Sequence, residues 1–495
     1  MSISSSRRLF FLICGLLFVT NVLVINDIAT VWNGAEARFL WNAHIDQATP
    51  VRTPAHYLSA LITENPTHTF WVRLPGVLIL LISLAGIYAL SRPVLGGRAA
   101  WWTILVLGSS FLLPNLAKVA TLDSWTFCWH ALGYLLLLRY LKEPGLLWRL
   151  SFYLVLSLGL WTSPLSTVLL FALLPALWYW RHPQGRRMWK LQPWGAILLL
   201  GAVLHSAELI DWTGAEQYLA PFSAGFYLYA LLGMFPFLGF LLGGLWELVP
   251  KLRRGEELAL LNASLLASAL IAQSHVLHLV LALLIAKQMH VYFQEKYPYR
   301  GLVRSGAILH LVLLFLLSTL LMLGGFFRFG GVGFRSALAF VAVYWMLSFV
   351  GVIGLFSGNR RYIWGATIAS GLLPTLLFWL QVYPLIENRR NLPKRIVEAA
   401  AEFHSAQEPV YLIDGPDRNN VALYLKTAYS GLKRPEEVGE RGNGLYIAPL
   451  ERIKSVPPPA DSVRVSGWTD LFRETEWVLL DYRSGALEND IEQSE

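Results

Sequence analysis

What most constrains this chain is a succession of apolar runs, most of them roughly 17 to 25 residues long, the length a helix needs to cross a hydrocarbon core of about 30 Å. They lie near residues 8 to 28, 71 to 91, 99 to 115, 122 to 140, 150 to 161, 163 to 180, 192 to 208, 225 to 246, 258 to 273, 275 to 290, 305 to 326, 336 to 356 and 361 to 383, which predicts thirteen membrane spans. Composition agrees, since 55% of the 495 residues are apolar and only 15% are charged, with a mean hydropathy of +0.49. A soluble core does not need such regular runs. Leu9 to Ile28, behind Arg7 and Arg8, resembles a signal sequence. It is long enough to span, and no convincing small-x-small cleavage site follows it, so it is read as an uncleaved first span.

The formal net charge is +8, but much of the Lys and Arg sits in short breaks between spans, where it sets orientation and does not point to nucleic acid. Alternate breaks hold about twenty cations, among them Arg92, Arg98, Arg139, Lys142, Arg149, Arg186, Lys251, Arg254, Arg300 and Arg360. The opposite set, up to Tyr383, holds only Arg38, Arg52, Arg73, Lys118, Arg328 and Arg335. This roughly threefold bias predicts a cytoplasmic N-terminus, with the first loop and the C-terminus outside a bacterial-type cytoplasmic membrane, in the periplasm or extracellular. Cys14 and Cys128 both lie inside apolar runs. Neither a disulfide framework nor a cysteine metal cluster is expected.

Two domains follow. Residues 1–383 form the membrane domain, whose first outside loop, 29–70, holds two amphipathic stretches, Trp32 to His44 and Ala55 to Ile62, separated by Pro50 and Pro54. These are expected along the membrane surface, with Trp32, Phe39, Trp41, Tyr57 and Trp71 at the interface. A second outside loop spans 209–224. Beyond Tyr383 charges become frequent, and residues 384–495 predict a small soluble α/β domain outside. Its strand-like runs are Pro409 to Asp414, Leu445 to Ala448 and Trp477 to Asp481, alternating with helical stretches Leu392 to His404 and Asn419 to Tyr429. The fold class is therefore an α-helical polytopic membrane protein with a C-terminal α/β domain.

Chemistry concentrates in the first loop. The sequence Trp32-Asn33-Gly34-Ala35-Glu36-Ala37-Arg38-Phe39 is followed by Arg52-Thr53-Pro54 and then by Val72-Arg73-Leu74-Pro75, and Lys118-Val119-Ala120-Thr121-Leu122-Asp123-Ser124 opens the fourth span on the same side. Transfer of a sugar from a phosphate-linked donor needs a carboxylate for the acceptor proton and cations for the departing phosphate. Glu36 and Asp123 supply the first, and Arg38, Arg52 and Lys118 the second, arginine presenting a planar fork that suits phosphate. On a regular helix, positions 36 and 38 would lie about 200° apart, whereas 35 and 38 share a face.

These motifs resemble the GT-C membrane glycosyltransferases of the protein mannosyltransferase and aminoarabinose transferase group, whose donors are polyprenyl-phosphate sugars. The first loop of that group reads Asp-Glu-x-Arg-Tyr, then a Lys-Pro-Pro-like turn, then Arg-Leu-Pro. Glu36, Arg38, Phe39, Arg52 and Pro54 occupy matching positions, while Ala35 stands where the group has its Asp. The resemblance implies a hexosyl or pentosyl transferase of the cell envelope, acting in lipopolysaccharide or protein glycosylation. It takes a polyprenyl-phosphate sugar as donor and a lipid, glycan or protein as acceptor, with membrane lipids as its other partners.

Structural readings stand beside these. Glu36 reads equally as a solvated charge, Asp123 as an ion-pair partner of Lys118, and Arg38 and Arg52 as headgroup anchors. Arg73 reads as fixing the end of the loop, Asp27 as marking the interface, and Glu208 and Asp211 as bordering the second loop. The twelve-residue spacing of His44, His56 and His68 matches no metal site, and His275 and His278 read as buried and hydrogen-bonded. Outside loops lack an Asp-x-Asp pattern, so no metal ligands are assigned and a divalent-metal requirement stays open. Two other functions also stay open: a lipid or solute transporter, and a catalytically inactive relative that binds donor or acts as an assembly partner, for which Ala35 is the support.

Overall fold

The structure, a computed structural model, describes residues 34–44, 52–65, 68–181, 190–210, 224–390, 392–403, 409–413, 418–425, 429–432, 444–454, 463–468 and 474–482. The first span, the loop tip at 45–51, Asp27, Trp32 and Asp211 lie outside these residues. The chain divides into two compact units, the first comprising Met1–Ile25, Ala48–Leu61 and Arg73–Val382, the second Asn26–Gln47, Ile62–Val72 and Tyr383–Glu495. Helix α1 (Gly34–His44) belongs to the second unit, and α2 (Pro54–Ile62) lies almost wholly in the first.

The first unit is helical. It continues with α3 (Thr69–Leu95), α4 (Gly97–Gly108), α5 (Leu112–Ala117), α6 (Asp123–Lys142), α7 (Leu146–Thr162), α8 (Pro164–Arg181) and α9 (Pro193–Ser206). After these come α10 (Ala224–Gly233), a 3-10 turn (Phe235–Phe237), α11 (Leu238–Arg253), α12 (Glu257–Ile271), α13 (Leu277–Val291), α14 (Arg300–Ser357) and α15 (Arg360–Leu377). Proline at the first turn starts α8 and α9, where its missing N–H costs no intrahelical bond. Asn359 caps α15, its side chain accepting from the backbone N–H of Arg361 at 3.1 Å and of Tyr362 at 3.5 Å.

Four stretches are both long and apolar enough to cross a bilayer: Thr69–Leu95, Phe235–Arg253, Arg300–Ser357 and Arg360–Ile386. Shorter apolar helices pack among them. The 58-residue α14 would reach about 87 Å as one rod, far beyond a bilayer core. Gly330, at φ 64, breaks it into two legs. These legs run antiparallel, tied by Trp345 Nε1 donating to Ser318 Oγ at 3.1 Å and by His310 and Ser348 at 3.2 Å. Phe315, Leu320, Phe327, Val332, Met346 and Ile353 face outward from the legs, an apolar surface suited to lipid. The protein is a multi-pass membrane protein.

Two of the expected spans are broken. The run 99–115 ends as a helix at Gly108, because Ser109 Oγ turns back to the Leu105 carbonyl at 2.6 Å and Ser110 Oγ to that of Leu107 at 2.8 Å. The run 225–246 breaks at Met234–Phe237, where Pro236 lacks the N–H an α-helix would use. The breaks meet, with the Phe111 amide donating to the Gly233 carbonyl at 3.0 Å. Gly371 of α15 packs against the first break, where an added Cβ would lie 1.6 Å from the Ser109 carbonyl oxygen. Gly371→Ala should therefore lower stability by about 1–3 kcal/mol, read as a lower thermal midpoint of the purified protein. An unchanged midpoint would contradict this close approach.

The second unit holds α16 (Tyr383–Arg390), α17 (Leu392–Phe403), β1 (Val410–Ile413), α18 (Arg418–Tyr424), β2 (Tyr429–Leu432), β3 (Gly444–Pro449), β4 (Val463–Trp468) and β5 (Glu474–Tyr482). Its sheet has the order β2-β1-β3-β5-β4, with β2, β1 and β3 parallel and β5 antiparallel to both β3 and β4. Alternation along the strands gives it two apolar faces. Val410, Leu412, Leu445, Ile447, Trp477 and Leu479 pack with Leu392, Ile396 and Val421 of α17 and α18, while Tyr411, Ile413, Tyr446, Val478 and Leu480 form the opposite face. Helix α1 packs on α18, and its Trp41 lies against the first face. In this helix Phe39 is buried and Trp41 meets the sheet core, whereas Tyr57 and Trp71 are exposed. The helix expected over Asn419 to Tyr429 stops at Tyr424, and Tyr429 begins a strand.

Candidate functional site

In the first unit, three connections come together at one end of the helices. Asp123 is the first residue of α6, Thr162 and Ser163 close α7, and Gln273, Ser274 and His275 join α12 to α13. Between them lies a cavity of about 310 Å³, with Asp123, Thr126, Thr162, Ser166, Ser274 and His275 among its polar lining. Asp123 is half-exposed at 48%. One carboxylate oxygen accepts from Thr121 Oγ1 at 2.9 Å, and the other faces His275 Nε2 at 3.8 Å. That gap is too long for a direct hydrogen bond. His275 Nδ1 makes no hydrogen bond among the described residues.

A polar cluster beneath the cavity fixes its walls. His130 of α6 reaches Ser274 Oγ at 2.6 Å through Nδ1 and Thr167 Oγ1 at 2.9 Å through Nε2, linking α6, α8 and the α12–α13 turn. Gln273 turns the chain there with φ 46. Trp129 Nε1 donates to Thr162 Oγ1 at 3.1 Å. A buried network with each member satisfied holds one geometry.

Arg52 stands beside this wall. Its carbonyl accepts from Trp161 Nε1 at 2.9 Å, one residue before the Thr162 of the cavity, and the ring of Tyr57 in α2 lies 6.3 Å from that of Trp161. Within α2's first turn, His56 Nδ1 meets the Thr53 amide and hydroxyl, each at 3.1 Å, so this histidine has a structural role.

Lys118 is fully buried in the connection between α5 and α6. Its ammonium lies 5.6 Å from the centroid of the Trp379 ring, and that indole is held by Asn115 Oδ1 at 2.6 Å. Burial lowers its pKa to about 8. Arg73 is fully buried as well. It lies one turn before Gly76, where an added Cβ would approach the Ala117 carbonyl oxygen at 3.1 Å, so that face of α3 abuts the segment carrying Lys118. Sequence reading placed Arg73 only at the loop's end.

Glu36 and Arg38 belong to the second unit. Both lie within the continuous helix α1, which puts their positions about 200° apart, while 35 and 38 share a face. Glu36 is fully buried in the first turn, so the solvated reading of this charge is set aside. The residue missed from sequence is His275, read there as buried and hydrogen-bonded. Its signal was the polar triplet Gln273-Ser274-His275 between two apolar runs.

Residues 52–210, which include Arg52, Lys118 and Asp123, match the profile of the dolichyl-phosphate-mannose-protein mannosyltransferase family. Among solved structures, ArnT from Cupriavidus metallidurans in the apo state is similar with a TM-score of 0.69 at 12% identity, over 96% of this chain and 98% of that one. The same enzyme bound to undecaprenyl phosphate is similar with a TM-score of 0.66 at 12% identity, over 96% and 98%. The chain has the fold of ArnT. This agrees with the resemblance read from the first loop, to polyprenyl-phosphate-dependent glycosyltransferases of the GT-C fold. No curated protein matches the sequence.

Proposed function

We propose that this protein transfers a sugar from a polyprenyl monophosphate to a lipid, glycan or protein acceptor at the outer face of a bacterial-type cytoplasmic membrane. The observation that carries it is the Asp123–His275 pair at the mouth of a polar cavity, with Arg52 beside its wall; Asp123 and Arg52 lie in the segment that matches the mannosyltransferase family. The shared fold with a protein bound to undecaprenyl phosphate supports the donor class, and the Lys and Arg bias between spans supports the orientation. The C-terminal unit is then extracytoplasmic.

In the reaction the acceptor hydroxyl attacks the anomeric carbon, the carbon–oxygen bond to phosphate breaks, and polyprenyl phosphate leaves. The acceptor proton passes to a carboxylate, Asp123 or Glu36. The phosphate gains negative charge as a diester becomes a monoester, so fixed cations favour the transition state over the bound donor. Arg52 and Lys118 are assigned that role, whether the sugar is a hexose or a pentose.

Incubating the purified protein with radiolabelled polyprenyl-phosphate sugars and envelope extracts should give labelled acceptor and one free polyprenyl phosphate per sugar moved. Sugar translocated in proteoliposomes without any acceptor would favour a transporter instead. A second reading has one specific support: Ala35 replaces the family's Asp on the face of α1 shared with position 38. Donor binding without turnover over a wide acceptor panel would select that reading, a donor-binding or assembly partner.

A further inference from the structure

A second cavity, of about 300 Å³, lies at the far end of the α12–α13 hairpin. The Asp123 cavity is lined by Gln273 to His275, at the hairpin's turn, whereas this one is lined by Glu256, Leu258 and Asn262 at the start of α12 and by Lys287 and His290 at the end of α13. Each of these helices has 15 residues and so separates the two cavities by roughly 22 Å. The cavity has no part in sugar transfer as proposed above and stands independently of that reading.

Its chemistry is two-sided. The walls are aliphatic, from Leu95, Leu248, Leu258 and Leu284 among others. The rim is an ion cluster in which Glu247 is shared by Lys251 at 2.6 Å and Lys287 at 3.1 Å and also accepts from Gln288 Nε2. Glu256 meets Lys251 at 3.8 Å and Arg254 at 2.8 Å. Arg254, outside the cavity lining, thus neutralises Glu256 and leaves Lys251 and Lys287 to share Glu247 at the rim. The Lys287 side chain is 40% exposed, and with three ammonium donors it retains capacity after bonding Glu247. His290 lies one turn further along the same face of α13. Deeper in, Asn262 Oδ1 accepts from the Tyr134 hydroxyl at 3.0 Å, leaving its amide donors for the cavity.

An excess cation at the rim selects an anion, and an aliphatic wall beneath it selects a hydrocarbon attached to that anion. A free phosphate would not need the wall, and a neutral amphiphile would not need the surplus charge. We propose that this cavity binds a membrane phospholipid, its headgroup phosphate against Lys287 and Lys251, its glycerol esters near Asn262 and the start of one chain along Leu258 and Leu284.

The test is native mass spectrometry of the delipidated full chain titrated with phosphatidylglycerol, with dioleoylglycerol, or with phosphatidylglycerol in the presence of excess inorganic phosphate. Phosphatidylglycerol should be retained, dioleoylglycerol should not, and inorganic phosphate should not displace the lipid. Lys287→Gln should weaken retention about tenfold. Leu258→Trp, which fills the wall and leaves every charge in place, should do the same. Binding of polyprenyl phosphate should be unchanged in both variants. Equal phosphatidylglycerol retention in both variants, equal retention of dioleoylglycerol, or displacement by inorganic phosphate alone would overturn the proposal. So would loss of polyprenyl phosphate binding in Lys287→Gln, which would make this the donor site.

Discussion

Asp123→Asn is expected to reduce the initial rate of sugar transfer by about 10²- to 10⁴-fold, the usual contribution of a positioned general acid or base, while leaving the thermal midpoint unchanged. The carboxylate is half-exposed at the cavity mouth and accepts a hydrogen bond from the Thr121 hydroxyl, which an asparagine oxygen accepts equally well. Only the capacity to take a proton is lost. Radiolabelled polyprenyl-phosphate sugar at saturating acceptor measures the rate. Wild-type activity in this variant would remove Asp123 from the mechanism. Glu36→Gln, tested in parallel, then decides whether the buried carboxylate of α1 is the base, and full activity in both variants would leave the proposed chemistry without its base.

The second large effect concerns Lys118. A buried ammonium that contacts the donor phosphate should contribute about 10- to 100-fold to kcat/KM, so Lys118→Met should lose that much. With a pKa lowered to about 8 by burial, the free enzyme carries this charge below pH 8 and loses it above. Wild-type kcat/KM should therefore fall on an alkaline limb near pH 8. In kcat the limb should move to higher pH, because bound phosphate holds the proton. Stability runs the other way. The folded-state pKa lies below the ordinary 10.5, so the unfolded chain binds more protons between about pH 8 and 10.5, and stability rises with pH across that window. Below pH 8 the whole cost of burying the charge is present. Lys118→Met should abolish this pH dependence, giving a weaker enzyme whose stability no longer rises across that window. A pH profile unaltered by the substitution would show that Lys118 only packs against Trp379.

The long apolar helices α3, α14 and α15 were legible because lipid imposes a length and a composition on anything that crosses it. The spans expected at 305 to 326 and 336 to 356 each lie within one leg of α14, and the turn at Gly330 lies in the gap left between them. The interruptions at Ser109–Ser110 and Pro236 were not legible, since serines and prolines also occur inside spanning helices and only the bond from Phe111 to Gly233 shows that these two breaks support each other. In the second unit, β1, β3 and β5 were read from their unbroken apolar runs. The short β2, Tyr-Ser-Gly-Leu, and β4, with Gly467, carried too little pattern.

For the site, sequence spacing named Asp123, Lys118 and Arg52, but not what faces them. His275 meets Asp123 because two helix ends converge, and no periodicity encodes a contact 152 residues away. The continuous helix through Glu36 and Arg38 was left open by the sequence, since Gly34 permits either a late or an early start. Burial of Trp41 against a sheet formed some 370 to 440 residues later was equally out of reach.

The central claim is that the donor's phosphate is held in the first unit beside the cavity between Asp123, Thr162 and His275. An experimental structure of the full chain with a non-hydrolysable polyprenyl-phosphate sugar tests this most directly. The account predicts the phosphate within hydrogen-bond distance of Arg52 or Lys118 and the sugar's anomeric carbon facing the Asp123 carboxylate. A phosphate bound elsewhere, with that cavity vacant, would contradict it.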